Sequence, residues 1–150
     1  MATTTTPHSA RPHLRNTDTA EDAGKLLLRL AVGVLIFLHV VPKLAGGVEG
    51  IAGMLAQKGL PGVLAYGVYI GEGLAPLLMI LGLWTRPAAL VVALNMLFAI
   101  GLAHMGELFT LGKQGGWALE LQGMFLFGAL AVALLGAGRM SAGGIHGRWN

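Results

Sequence analysis

The sequence contains no cysteine and very little charge. Without cysteine, the 150-residue chain cannot by itself build a disulfide, a thiolate zinc site or an iron–sulfur cluster. This excludes, as an independent activity, the four-helix membrane proteins that pass electrons between thiols and quinone. Charged residues make up 11% and hydrophobic residues 55% of the chain, whereas a soluble domain carries roughly 25% charged residues. Too little charge is present to coat a globule in water, so the implied solvent is a lipid bilayer.

The basic residues form no dense stripe, although the formal net charge is +3. They lie singly beside apolar runs, a distribution typical of the flanks of membrane helices. A protein that binds nucleic acid concentrates its lysines and arginines to track phosphates. We therefore expect no nucleic-acid partner.

Four apolar stretches predict an all-α transmembrane four-helix bundle over residues 25–141. Each stretch is near the roughly 20 residues that cross about 30 Å of hydrocarbon. They cover residues 26–44, 62–83, 87–105 and 117–137.

The segment between the first two stretches, residues 45–61, is rich in glycine and includes an amphipathic piece around Ile51, Met54 and Leu55. It predicts a short interfacial helix in the first external loop. Residues 106–116 are expected to form a loop.

The ends of the chain are predicted to be cytoplasmic tails. Residues 1–24 are polar and Thr-rich and bury too little apolar surface to order, so we expect a disordered tail there. Residues 142–150 form the second tail. The positive-inside rule places both termini on the cytoplasmic side of the cell inner membrane. The cytoplasmic set of basic residues is Arg11, Arg15, Lys25, Arg29, Arg86, Arg139 and Arg148, and the external set is Lys43, Lys58 and Lys113.

Ionisable side chains converge on the outer half of the predicted bundle. Such groups cost at least roughly 2.5–3.5 kcal/mol each at a helix centre, so each needs a partner or a purpose. The alternating directions of the four helices bring five of them to similar depth. They are His39, Lys43, Glu72, His104 and Glu120.

Glu72 carries the strongest signal for function. Pro76 lies four residues later and cannot donate to the Glu72 carbonyl, so we expect the helix to kink beside a carboxylate. Tyr69 shares this helix face. A buried carboxyl in this setting could exchange protons, and the alternative is a structural clip.

The other polar residues also have structural alternatives. Arg29, near an interface, could snorkel to lipid phosphates, and Lys43 and His104 could be interfacial anchors. Asn95 could form a hydrogen bond between helices. His39 and His104 could in principle ligate a haem, but two histidines are a weak signal and we do not favour haem.

The order of these residues resembles the DoxX family of small bacterial and archaeal membrane proteins. The resemblance covers residues 25–141. It is carried by LLLRLAVGVLIFLHVVPKL, GLPGVLAYGVYIGEGLAPLLMILGLWTRPAAL, ALNMLFAIGLAHM and GGWALELQGMFLFGALAVALLGAGRMS. The family commonly has an aromatic residue before the last glutamate, and Trp117 matches it. The polar residues in family order are Arg29, His39, Lys43, Glu72, Asn95, His104 and Glu120.

The resemblance implies a link to quinone chemistry, because named relatives include a subunit of a quinone-reducing thiosulfate oxidoreductase and membrane partners of redox-stress enzymes. Our leading hypothesis is a membrane subunit of a quinone-linked oxidoreductase system. In it, Glu72 and Glu120 exchange protons with a quinone head group or small oxidisable substrate. The expected binding residues are His39, Lys43, Tyr69, Asn95, His104 and Trp117, with Arg29 and Pro76 structural or interfacial.

Two other functions remain open from the sequence. The first is a non-enzymatic membrane anchor that recruits a soluble redox enzyme. The second is a small proton-coupled transporter, which the same ionisable groups could serve. The sequence also leaves open a soluble or membrane redox partner protein and a homo-oligomer.

Overall fold

The computed structural model describes residues 13–144, 147, 149 and 150, and side chains from residue 19 onward. Within these ranges the regular structure is helical, apart from one isolated bridge between Leu111 and Trp117. The prediction of an all-α fold is therefore confirmed. The α-helices are α1 (His13–Gly46), α2 (Glu49–Gln57), α3 (Ala75–Leu81), α4 (Thr85–Ala103) and α5 (Glu120–Leu135). A 3-10 helix (Gly62–Tyr66) and a π-helix (Tyr69–Leu74) precede α3, and a 3-10 turn (Met105–Glu107) follows α4.

Four helical segments pack as a closed ring. α1 contacts α3 and α5, and α4 contacts the same two neighbours. Three segments in the described part of the chain are long and apolar enough to cross a membrane, namely Thr19–Gly46, Gly62–Leu81 and Thr85–Ala103. We call Gly62–Leu81 the second span. This up-and-down arrangement is the expected membrane bundle.

The fourth helix is shorter than its apolar stretch predicts. α5 has 16 residues, which at 1.5 Å per residue reach about 24 Å rather than the about 30 Å of a bilayer core. Trp117 and Leu119 precede it in the loop, and Gly136, at φ +78°, ends it.

Small side chains let the helices approach closely at the centre of the bundle. Gly128 lies against Val32, and Gly33 lies against the Pro76 carbonyl, so neither position has room for a larger residue without movement. The buried core around them consists of Val32, Ile36, Ala75, Met79, Ala88, Ala89, Val92, Ala93, Met96, Phe125, Ala129, Val132 and Ala133.

The short helix predicted in the first loop is present as α2. Its Leu55 is fully buried and packs with Val48, Ala65 and Val68 in a second, smaller core. This contact holds α2 over the start of the second span, at the end of the bundle where Lys43 lies. We call this the Lys43 end, and the opposite end the Arg29 end.

The predicted disordered tail is too long, because α1 begins at His13 rather than near residue 25. Asp22 explains part of this extension. It is 8% exposed, accepts a hydrogen bond from the Arg139 backbone N–H (3.1 Å) and pairs with the Arg139 guanidinium (3.5 Å). The predicted tail also includes residues 1–12, which lie outside the described residues.

Arg29 is a structural residue of the bundle, and the snorkelling interpretation is wrong. Its side chain is 2% exposed and donates to the carbonyl oxygens of Ala137 (2.9 Å) and Met140 (2.8 Å). These carbonyls follow the end of α5, where no helical N–H remains to satisfy them.

The C-terminal segment packs against the bundle where it is described. The backbone N–H groups of Ala142 and Gly143 donate to the carbonyls of Leu81 and Gly82, at 3.0 and 3.2 Å. The start of the predicted tail (residues 142–150) is thus held at the turn between α3 and α4. Residues 145, 146 and 148 lie outside the described part.

Replacing Arg29 by methionine should destabilise the bundle. The change leaves the buried Ala137 carbonyl and the part-buried Met140 carbonyl without this donor, and a buried unsatisfied group costs about 1–3 kcal/mol. We expect a clearly lower thermal midpoint for the purified protein in mild detergent. Lys113→Met, in the exposed loop before α5, is the matched control and should unfold like the wild type. Equal midpoints for the two variants would contradict a structural role for Arg29.

Candidate functional site

A π-helix forms where the sequence predicts a kink. Pro76 has no N–H, so the Glu72 carbonyl loses its normal helical donor. The chain widens over Tyr69–Leu74, and the Ala75 N–H donates to the carbonyl of Ile70, five residues earlier. Single π-turns inside α-helices are frequent at functional sites. Here the widened turn carries Glu72 into the bundle.

Glu72 forms an ion pair with Lys43 across the interface between the π-helix and α1. The Glu72 side chain is 10% exposed and the Lys43 side chain 25% exposed. Lys43 Nζ also donates to the His39 carbonyl (3.1 Å). The Tyr69 hydroxyl donates to the Lys43 carbonyl (3.0 Å). The pair is thus held by hydrogen bonds from both elements.

A cavity of about 420 Å³ lies beside this ion pair, between the second span and α4. Its polar side chains are Lys43, Glu72 and Asn95, and the rest of its lining is apolar or glycine. Leu94 and Phe98 line it and are 66% and 45% exposed. We call it the large cavity. Its exposed apolar lining indicates that it opens towards lipid.

Asn95 brings an unused donor to the large cavity. Its Nδ2 atom is buried and has no hydrogen-bond partner among the described residues. Gly71 of the π-helix lies directly against the Asn95 side chain, where a Cβ atom would collide with it. Buried polar atoms are normally paired, so Asn95 is a candidate ligand-binding residue of this cavity.

A smaller cavity of about 130 Å³ lies on another side of Glu72. Its polar lining is Glu72, His39, His104 and Gln122. His39 Nδ1–H donates to the Leu35 carbonyl (2.8 Å), and its ring contacts Phe125 edge-on. His104 contacts Glu107 Oε2 through Nδ1 (3.0 Å) and Gln122 Nε2 through Nε2 (3.4 Å).

Glu120 and Trp117 do not join this group. Glu120 is exposed and lies against Gly116. Trp117 donates to the Leu108 carbonyl (2.8 Å) and packs on Gly123. Neither residue lines either cavity. Of the five ionisable groups expected to converge, four line one or both cavities.

Gln122 and Glu107 are site residues that we did not predict. The helical period contains a signal for Gln122, because it lies three and seven residues before the buried Phe125 and Ala129 and so shares their face. Glu120 falls outside this face. Glu107 is the last residue of the 3-10 turn that follows α4, and its contact with His104 depends on that turn.

The fold and site describe a small helical membrane protein with a polar ion pair beside a lipid-facing cavity. The DoxX family model matches residues 24–105, more than half of the chain, so the chain belongs to the DoxX family. The matched region includes Lys43, Glu72, Asn95 and His104, and ends before α5.

One curated relative is similar over part of its length. "Putative oxidoreductase CatD" of Bacillus subtilis (strain 168) is 34% identical over 79 residues, which cover 53% of this chain and 58% of that protein. The alignment thus spans less than two thirds of the relative. No solved structure matches the chain.

The ion pair predicts a coupled response to mutation. Glu72→Gln should lower the thermal midpoint because it leaves the Lys43 ammonium without its counter-ion, a loss of about 3 kcal/mol for a largely buried pair. The double variant Glu72→Gln with Lys43→Met should recover part of that loss. Additive effects of the two single changes, measured as a double-mutant cycle, would show that the pair contributes no coupling energy.

The close contact at Gly71 gives a second test. Gly71→Ala should displace Asn95 and lower the thermal midpoint, since the added methyl group has no free space. Gly67→Ala adds the same methyl group one turn earlier, where no atom lies within 4 Å. It should be neutral or slightly stabilising. A midpoint for Gly71→Ala as high as that for Gly67→Ala would rule out the tight packing.

Proposed function

We propose that this protein is the membrane subunit of a quinone-linked oxidoreductase system and that the large cavity binds the quinone head group. The observation that carries the proposal is that Lys43 and Asn95 line one lipid-facing apolar cavity, and that the buried Nδ2 of Asn95 has no hydrogen-bond partner among the described residues. A quinone offers two oxygen acceptors on an apolar ring with an apolar tail. Lipid would be its route of entry.

The size and lining of the cavity support a ligand of this kind. Small-molecule sites typically enclose roughly 300–1,000 Å³ with apolar walls and a few placed polar groups. The large cavity, at about 420 Å³, falls in this range. Lys43 and Asn95 would each donate to a quinone oxygen, and Glu72 would accept the proton of the reduced form.

The proposal assigns different roles to the remaining predicted residues. Tyr69 supports the backbone of Lys43 through its hydroxyl and so positions the ammonium. His39 and His104 line the smaller cavity instead of the large one. Glu120 and Trp117 have no part in the proposed site.

Electrons would pass to a redox partner protein, because a chain without cysteine has no thiol to carry them. The name of the Bacillus relative supports a link to an oxidoreductase. The inner-membrane location and the cytoplasmic position of both termini stay predictions from the Lys and Arg distribution.

Asn95→Leu tests the site without breaking the ion pair. We expect a short-chain benzoquinone with an alkyl tail to bind the purified protein and raise its thermal midpoint. Asn95→Leu should weaken that binding about tenfold, which is the loss of one hydrogen bond. Its own stability should equal or exceed that of the wild type, because the change removes a buried donor that has no partner among the described residues.

Gln57→Leu is the matched control, since it removes an exposed amide at the end of α2 that lines neither cavity. It should bind the quinone like the wild type. If the wild type fails to bind quinone, or if Asn95→Leu binds it equally well, the proposed head-group site is wrong. The ion pair would then be a structural clip in a membrane anchor.

A further inference from the structure

We propose that the smaller cavity is a proton route that connects Glu72 to the aqueous face at the Lys43 end through His104 and Glu107. The inference rests on the proposed function, because it gives the Glu72 proton a destination. Glu72 and Ala99 line both cavities, and Glu72 is the polar side chain that they share. One carboxylate therefore faces the ligand site on one side and a histidine-lined space on the other.

The smaller cavity has the room and the polar groups that water requires. A buried water needs about 10–15 Å³ of such space and two to four polar partners. The cavity encloses about 130 Å³. The polar partners around it are Glu72 from the π-helix, His39 from α1, His104 at the end of α4 and Gln122 from α5. Water in this space would link Glu72 to an imidazole.

The contacts of His104 select one tautomer. The Gln122 amide N–H donates to Nε2 (3.4 Å), so Nε2 is the acceptor and Nδ1 carries the hydrogen that is donated to Glu107 (3.0 Å). The two ring nitrogens thus face opposite directions along the route. The His104 side chain is 33% exposed and that of Glu107 is 56% exposed. The route ends in a carboxylate in contact with bulk water.

The transfer conserves protons at each step. A ligand hydroxyl in the large cavity gives its proton to the Glu72 carboxylate, and the ligand anion stays beside the Lys43 ammonium. The Glu72 O–H bond then breaks as cavity water carries the proton to His104 Nε2. The Nδ1–H bond breaks next, and its proton goes to Glu107 and bulk water. Glu72 returns to the carboxylate, and His104 is neutral with its hydrogen on Nε2. Loss of that hydrogen to water and uptake of another at Nδ1 restore the starting tautomer.

Several charged or titratable groups surround Glu72 and bear on this transfer. Lys43 is its direct ion-pair partner from α1, and the Tyr69 hydroxyl on the same π-helix is engaged by the Lys43 carbonyl. α4 presents the neutral Asn95 on the side of the large cavity. His39 and His104 face the other side, and the contact between His104 and Glu107 gives His104 the exit to bulk water.

A pH-jump infrared experiment on the full chain in liposomes tests the route, with the proton itself as the probe. The Glu72 carboxyl band is identified by its loss in Glu72→Gln. In the wild type, this band should appear after a jump from neutral pH to an acidic pH at which the carboxyl takes up a proton. In His104→Leu, its appearance should slow by at least about tenfold, because a general acid–base group of this kind typically contributes 10²–10⁴-fold.

Two further variants keep the result interpretable. His104→Gln preserves hydrogen bonding but cannot relay a proton, so it should also slow the band even if His104→Leu folds poorly. Glu49→Gln, an exposed carboxylate on α2 that lines neither cavity, should leave the rate unchanged. A wild-type rate in both His104 variants, or no Glu72 band in the wild type, would overturn the route.

Quinone binding, measured on the same samples, separates this inference from the proposed function. His104 does not line the large cavity, so both His104 variants should bind the quinone like the wild type. Slow protonation with normal binding supports the route. If the wild type binds no quinone but the His104 variants still slow the Glu72 band, the route stands and the proposed ligand is wrong.

Discussion

The ion pair between Glu72 and Lys43 joins α1 to the second span inside a bundle that is otherwise almost entirely apolar. A single ionisable group in such a place is expensive. Two groups of opposite charge compensate each other only if hydrogen bonds satisfy their remaining atoms. The backbone carbonyl of His39 accepts a bond from the Lys43 ammonium. Glu72 of this pair lines both cavities, and Lys43 lines the large one.

The π-helix explains how the carboxylate reaches this position. Pro76 removes one backbone donor, and the widened turn changes the direction of Glu72 relative to a regular helix. Gly71 lets the widened turn lie against Asn95, where a larger residue would collide. A proline and a glycine, neither of them chemically reactive, therefore determine which polar atoms meet in the large cavity.

The opposite end of the bundle uses a different solution for buried charge. Arg29 has two carbonyl partners, from Ala137 and Met140, and its guanidinium can satisfy both because its donors diverge from one planar group. Lys43 is a compact charge on a flexible stem, which can follow a ligand or a proton. Arg29 thus suits a fixed structural contact at the Arg29 end, and Lys43 suits an adaptable site at the Lys43 end.

The sequence predicts the helical spans and the Lys43–Glu72 side of the site. Both depend on local residues, the spans on hydropathy and the kink at Glu72 on Pro76 four residues later. The DoxX family model matches residues 24–105, which include Lys43 and Glu72. The placement of Glu120 could not be predicted by helix depth alone, since depth does not say which way a side chain faces. The helical spacing of Gln122, Phe125 and Ala129 shows which face of α5 points into the bundle.

Long-range partners explain the remaining errors. The N-terminal segment looks too polar to order, yet Asp22 pairs with Arg139, 117 residues away. Arg29 looks interfacial, yet its acceptors lie 108 and 111 residues away. No local pattern specifies such contacts, because each depends on the ring closing so that α1 meets the residues after α5.

A purely structural role for Asn95 does not explain why its Nδ2 atom has no hydrogen-bond partner among the described residues. A hydrogen bond between helices would satisfy this atom, and no such bond is made by it among the described residues. Leaving a buried donor unpaired costs about 1–3 kcal/mol, and an apolar residue of similar shape would avoid that cost. The ion pair alone is compatible with an anchor. The ion pair together with an unpaired donor on a residue that lines the same lipid-facing cavity favours a bound acceptor, since a ligand oxygen would remove the cost that the free bundle bears.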